Sequence, residues 1–125
     1  DIFIKALYVV EEMARVNQAV DALKLGDLPA VGQLMTDTHW GLSQAYEVSC
    51  DELDFLVSLA QEKPEWFLGA RMMGGGFGGC TLNLVNLGDL DLMVKHITNE
   101  FQRAFGYHPE FYPVRLSPGV HPVYF

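Results

Sequence analysis

A glycine-rich segment in the second half of the chain has the composition of a ligand-binding loop. It runs Gly69-Ala70-Arg71-Met72-Met73-Gly74-Gly75-Gly76-Phe77-Gly78-Gly79-Cys80. Glycine takes positive φ without steric cost and lets a backbone or a phosphate approach closely. Successive exposed amides in such a turn can form an anion-binding nest. Because ordering so many glycines costs conformational entropy, we interpret the segment as a functional loop rather than a plain tight turn.

The segment departs from two common phosphate-binding motifs. Gly74, Gly76 and Gly79 have the spacing of the dinucleotide fingerprint, but in that fingerprint a helix follows the glycines. Residues 81–85 read instead as a strand. A P-loop would close with Gly-Lys-Ser or Gly-Lys-Thr, and the sequence has neither at this place. The pattern predicts a glycine-rich connection between two strands that approaches another group closely.

The remaining polar residues do not form a recognisable set for catalysis. His39 stands alone on a predicted helix and reads as a packed or surface residue. Asp51, Glu52 and Asp54 fall in the first turn of another predicted helix, where capping and the helix dipole account for them. Arg71 precedes the glycines and can hold a phosphate, a loop carbonyl or an acidic side chain. We therefore predict that this chain contains no catalytic residue.

Composition narrows the class of protein. The net charge is −8 and Lys and Arg together number eight, so we expect neither a nucleic-acid nor a membrane partner. No apolar run approaches the roughly 18 residues of a membrane span. Cys50 and Cys80 read as small buried apolar residues of a reduced, cytoplasmic protein. The chain starts at Asp1, inside a predicted helix, which suggests a fragment of a longer protein.

Hydrophobic periodicity predicts an α+β fold. The first helix should carry one apolar stripe, made of Ala6, Val9, Val10, Met13, Val16, Val20 and Leu23. Gly26 should stop it and Asp27 should cap a second helix. The pattern from Ser49 to Glu52 resembles a capping box before a third helix. A fourth, ended by Gly106, should carry Leu90, Met93, Ile97, Phe101 and Ala104.

Strands are predicted at 67–72, 80–87 and 111–116, with a short extended piece at 46–48. The resulting order is βαββαβ, a ferredoxin-like antiparallel sheet with helices on one face. Two additional N-terminal helices would precede it. We interpret residues 1–125 as one domain.

Three stretches carry a family resemblance. The first comprises residues 22–28, residues 32–35 and His39, the second is Tyr46-Glu47-Val48-Ser49-Cys50 with Glu52-Leu53-Asp54, and the third is the glycine segment. Together they resemble the C-terminal domain of galactokinases, in the GHMP family of small-molecule kinases. Phe111-Tyr112, with Arg115, is similar to the final strand of that domain. Asp51 replaces a proline that is usual in the family, and Met73 replaces a common threonine, so no hydroxyl role carries over to position 73.

The resemblance implies a whole protein that transfers the γ-phosphoryl group of ATP to galactose or a related sugar, with Mg²⁺. Its catalytic and sugar-binding groups would lie in its own N-terminal domain. This chain would contribute the loop near the ATP phosphates, made of Gly74, Gly75, Gly76, Phe77, Gly78 and Gly79, with Arg71 in support. Phosphoryl transfer depends mostly on positioning and charge stabilisation. The alternatives are a catalytically silent sensor of galactokinase architecture and a free-standing ferredoxin-like ligand-binding module.

Overall fold

The computed structural model describes residues 1–124 and joins helices to one small sheet. The elements within that part are α1 (Ile2–Leu25), α2 (Leu28–Trp40), a π-helical turn (Gly41–Ala45), α3 (Asp51–Glu62), β1 (Phe67–Met73), β2 (Cys80–Val85), a 3₁₀ turn (Leu87–Asp89) and α4 (Leu90–Phe105). The α+β class is confirmed. Of the helices in residues 1–124, none combines the length and the apolar character needed to cross a bilayer.

The predicted helix ends agree with the structure, except at α3. Gly26 ends α1 at φ 70°, and Asp27 caps α2 by accepting a hydrogen bond from the backbone N–H of Ala30 at 3.1 Å. Gly106 ends α4 at φ 81°. The capping box is wrong, because Cys50 is the N-cap of α3 and its side chain makes no capping bond.

The two strands form an antiparallel hairpin around the glycine loop, as predicted. Ala70 lies opposite Asn83, and Met73 opposite Cys80. Helices α3 and α4 pack against the hairpin, and α4 buries Met93, Ile97 and Phe101 from its predicted stripe. The shared core consists of Val57, Leu59, Ala60, Phe67, Ala70, Met93 and Ile97.

The other two predicted strands do not form in the described residues, so the sheet has two strands rather than four. In the segment 46–48, Glu47 takes φ 62°, outside the strand region. The N–H of Val48 donates to the Leu42 carbonyl, and the Val48 carbonyl accepts from the N–H of Phe77. Neither backbone group of Val48 therefore takes part in the hydrogen bonds of a sheet. The segment 111–116 is exposed and forms no ladder with the described residues. Its aromatic and β-branched residues favour a strand where a neighbouring strand is present to pair with.

Helix α2 covers the free edge of β1. The backbone N–H groups of Ala70 and Met72 donate to side chains of α2, at 3.3 Å to Thr36 Oγ1 and at 3.0 Å to His39 Nδ1. The helix comes so close that a Cβ on Gly32 would lie 2.0 Å from the Leu68 carbonyl oxygen. This contact fixes His39 beside the strand that leads into the glycine loop.

Helix α1 turns its predicted apolar stripe toward solvent. The whole predicted stripe is exposed, with Val10 64% and Met13 65% accessible. Tyr8 and Ala22 are the buried residues of α1. Tyr8 packs against Tyr46, with ring centroids 5.6 Å apart. The stripe therefore belongs to an apolar face that the described residues leave uncovered.

The close approach of α2 to β1 makes a direct prediction for Gly32→Ala. We expect this change to lower the free energy of unfolding by about 2 kcal/mol or more, because overpacking at a backbone contact costs on the order of 1–3 kcal/mol. The higher helix propensity of alanine acts in the opposite direction. Gly88→Ala is the control, since its Cβ would meet nothing within 4 Å. Equal urea midpoints for the two variants would contradict the prediction.

Candidate functional site

The loop at residues 74–79 has a backbone that requires glycine at most of its positions. Gly74, Gly76 and Gly79 take φ of 83°, 87° and 99°, and Gly78 takes 149°. Residues other than glycine take such positive φ values only with strain. Phe77 is the exception in the loop, with φ 61°, and its side chain is 74% exposed.

The loop is tied to the chain at one backbone position and is otherwise open. The N–H of Phe77 donates to the Val48 carbonyl oxygen at 2.7 Å. A Cβ on Gly76 would lie 2.3 Å from the same oxygen, so glycine is needed there for contact as well as for φ. The backbone N–H groups of the five loop glycines make no hydrogen bond within residues 1–124. Such a loop offers several amide donors to an anion.

A polar cluster of buried His39 and half-buried Asp54, Ser43 and Ser49 lies behind the base of the loop. The carboxylate of Asp54 accepts hydrogen bonds from His39 Nε2 at 2.9 Å, from Ser49 Oγ at 2.6 Å and from Ser43 Oγ at 2.7 Å. His39 is fully buried, and its Nδ1 accepts the Met72 N–H. These two bonds assign the neutral tautomer with the proton on Nε2.

The sequence did not reveal this cluster. It left His39 as either a packed or a surface residue, and the structure shows it packed. It explained Asp54 by capping and the helix dipole, whereas the side chain of Asp54 bonds to three other segments. Its partners lie on α2, in the π-helical turn and just before α3. A histidine on one helix and a carboxylate on another give no local spacing signal. Exposed Asp51 and half-buried Glu52 remain in the first turn of α3, where the dipole favours them.

Burial lowers the pKa of His39 below the ordinary value of 6.5. The carboxylate of Asp54 acts in the opposite direction and raises this pKa, while the positive charge of Arg71 lowers it further. Since the net shift is downward, His39 stays neutral in the folded protein under conditions where a solvated histidine is already partly charged.

Arg71 lies at the base of the loop rather than among its glycines. Its Nε donates to the Met72 carbonyl oxygen at 3.0 Å. The side chain lines a small cavity of about 80 Å³ between α1 and α2, together with Glu12, Arg15 and Thr38. The sequence left a phosphate, a loop carbonyl or an acidic side chain as the partner of Arg71. In the structure its partner is a backbone carbonyl next to the loop. Its function in supporting the loop stays a prediction.

The described residues contain no candidate metal centre and no disulfide. Among residues 1–124, no group of three or more His, Cys, Asp or Glu side chains is arranged to hold a metal ion. Both cysteines are free thiols. The prediction that they are buried is wrong, because Cys80 is exposed and Cys50 is half-buried.

The lowered pKa of His39 predicts a pH-dependent stability. The unfolded chain takes up a proton at His39 near pH 6.5, whereas the folded chain resists protonation. The stabilisation is therefore complete above about pH 6.5 and is lost as the pH falls from there toward the folded pKa.

In urea titrations between about pH 7.5 and about pH 5.5, we expect His39→Gln to flatten the fall in unfolding free energy. His96→Gln, a change on α4 away from the cluster, should keep the wild-type slope. If both variants kept that slope, the neutral buried state of His39 would be refuted.

Comparison with known proteins gives galactokinases as relatives. The chain is 46% identical over 116 residues to a galactokinase of Clostridium beijerinckii, and this match covers 93% of the chain and 30% of that protein. A galactokinase of Pyrococcus furiosus is 41% identical over 113 residues, covering 90% of the chain and 32% of that protein. The chain thus spans about a third of the length of these relatives.

Solved structures agree with the sequence matches. A Lactococcus lactis galactokinase, complexed with galactose, superimposes with a TM-score of 0.75 at 36% identity, covering 79% of the chain and 25% of that protein. An L. major mevalonate kinase, in complex with R-mevalonate, gives a TM-score of 0.56 at 30% identity, covering 74% of the chain and 26% of that protein. The family model described as GHMP kinases C terminal matches residues 19–103. The chain therefore belongs to the C-terminal family of the GHMP kinases.

Proposed function

We propose that this chain is the C-terminal domain of a galactokinase, which as a whole protein phosphorylates galactose with ATP. The observation that carries the proposal is the exposed loop at 74–79, whose glycine N–H groups are free of protein partners within the described residues. Free amide donors at the end of a hairpin suit a polyphosphate, because phosphoryl transfer depends on charge stabilisation and positioning. The galactokinase relatives support the reaction, and the Lactococcus lactis protein supports galactose or a related sugar as the acceptor.

In this proposal the loop from Gly74 to Gly79 lies near the ATP phosphates. The backbone is the functional part, since the glycines supply N–H groups and no side chain that would keep a phosphate away. Arg71 adds a positive charge at the base of the loop. We do not assign Mg²⁺ to this chain, because residues 1–124 hold no group of three or more His, Cys, Asp or Glu side chains that could bind a metal ion. Its ligands would come from the nucleotide and from the rest of the protein.

We further propose that the N-terminal domain of the whole protein packs on α1. The relatives are about three times as long as this chain, so most of the protein lies outside it. The apolar stripe of α1 is exposed along the length of the helix, from Val9 to Leu23. Interfaces between domains of one chain bury roughly 600–1,500 Å², and a 24-residue helix is long enough to contribute much of that surface. A cytoplasmic location stays a prediction.

The first test compares the whole protein with the isolated chain. With ATP, Mg²⁺ and galactose, the whole protein should produce galactose 1-phosphate, whereas residues 1–125 alone should give none above background. The physical reason is that the sequence predicts no catalytic acid–base set in this chain. Turnover by the isolated chain would refute the division into two domains. A whole protein that binds sugar and ATP without turnover would indicate a silent sensor.

Gly75→Ala tests the loop in the whole protein. Gly75 lies outside the left-handed region, and its Cβ would meet nothing within 4 Å in this chain. We therefore expect an unchanged melting temperature, but kcat/KM at least about tenfold lower, which corresponds to about 1.36 kcal/mol of lost transition-state stabilisation. Such a loss would report a contact made outside this chain. Gly76 is less suitable, because a Cβ there would meet the Val48 carbonyl.

Gly88→Ala is the matched control, since its Cβ also meets open space but lies away from the loop. It should keep both the melting temperature and kcat/KM. If Gly75→Ala were as active as Gly88→Ala, the proposed approach of the phosphates to the loop would be wrong.

A further inference from the structure

The glycine loop is held at its tip, and the strand that leads into it is held at Met72; both contacts lead to one carboxylate. At the base of the loop, the Met72 N–H donates to His39 Nδ1 at 3.0 Å, and His39 Nε2 is bonded to Asp54 Oδ1 at 2.9 Å. At the tip, the Phe77 N–H donates to the Val48 carbonyl, and the next residue, Ser49, donates to the same Asp54 oxygen at 2.6 Å.

We propose that Asp54 is a positioning residue that fixes the base and the tip of the glycine loop through His39 and Ser49. The importance of this for phosphoryl transfer rests on the proposed function, but the mechanical link itself does not. Hydrogen bonds to a charged acceptor are shorter and about twice as strong as neutral ones. A single carboxylate that accepts from both connections therefore keeps them at a fixed separation.

The separation matters because the loop does not hold itself. Its glycine N–H groups make no hydrogen bond within residues 1–124, and Phe77 sits at φ 61°, a conformation that costs energy for a residue with a side chain. Surrounding structure must stabilise this conformation, and the Val48 carbonyl is the group that contacts it. Val48 is itself held by the bond from its N–H to the Leu42 carbonyl, and through the adjacent Ser49 it is also linked to Asp54.

Ser43 provides a matched control inside the same cluster. Its hydroxyl donates to the other oxygen of Asp54 at 2.7 Å, a bond of the same type and nearly the same length as that of Ser49. Ser43 lies in the π-helical turn, and its hydroxyl bonds to Asp54 without bonding to residues 72–79 or to a neighbour of Val48. Ser43→Ala and Ser49→Ala therefore remove similar bonds from one carboxylate, but only the second loosens the loop.

The experiment is amide hydrogen exchange on the whole protein, followed at the peptides that contain Met72 and Phe77. In Ser49→Ala we expect exchange at Phe77 about tenfold faster or more, with Met72 little changed. In Asp54→Asn we expect faster exchange at both positions. Ser43→Ala should change neither, and Ser49→Thr should restore protection because it retains the hydroxyl.

Kinetics of the same variants give the second readout. Ser49→Ala should raise KM for ATP and leave KM for galactose unchanged, while Ser43→Ala should alter neither. Equal effects of the two serine variants on exchange, or no effect at Phe77, would overturn the role of Asp54. If the wild-type protein phosphorylates no sugar, the proposed function fails, and the exchange comparison alone decides the positioning role.

Discussion

The structure depends on the close approach of helix α2 to the free edge of strand β1. Two glycines, Gly32 and Gly69, make the approach sterically feasible, because a Cβ on either would lie 2.0 Å from a carbonyl oxygen of the other element. The same approach brings Thr36 and His39 to the unpaired N–H groups of β1. An exposed sheet edge is thereby satisfied without a further strand, which is one way proteins protect such edges.

This contact also explains why a buried histidine is found next to an open loop. One ring nitrogen of His39 is bonded to the strand and the other to Asp54, so His39 links α3 to the end of β1. The energetic cost of burying these polar groups is offset because each of them has a partner. No buried side-chain polar atom in the described residues lacks one.

The chain combines a well-packed hairpin side with an uncovered helix. Helices α3 and α4 bury their apolar residues against the sheet, whereas α1 leaves a stripe of large apolar side chains in solvent. Exposed apolar patches of this kind mark interaction surfaces. The chain spans about a third of the length of its relatives, and this exposed face is where the proposed function places the N-terminal domain.

The sequence by itself determined the local features of this protein. Periodicity, Gly26, Asp27 and Gly106 fixed the helices and most of their ends, because these signals act within one turn of a helix. The glycine segment between two apolar runs determined the hairpin and its loop. Its motifs also identified the GHMP family, which the comparisons confirm.

Only the tertiary structure decided how those elements pair, pack and bond with each other. The predicted strands at 46–48 and 111–116 do not form in the described residues, because a strand depends on a neighbouring strand to pair with, and neither segment pairs with the hairpin. The apolar stripe of α1 has the same periodicity whether it faces a core or solvent, so its exposure was not predictable. The cluster around Asp54 joins residues far apart in sequence. Hydrogen bonds between such residues follow from how the helices pack, which no local spacing encodes.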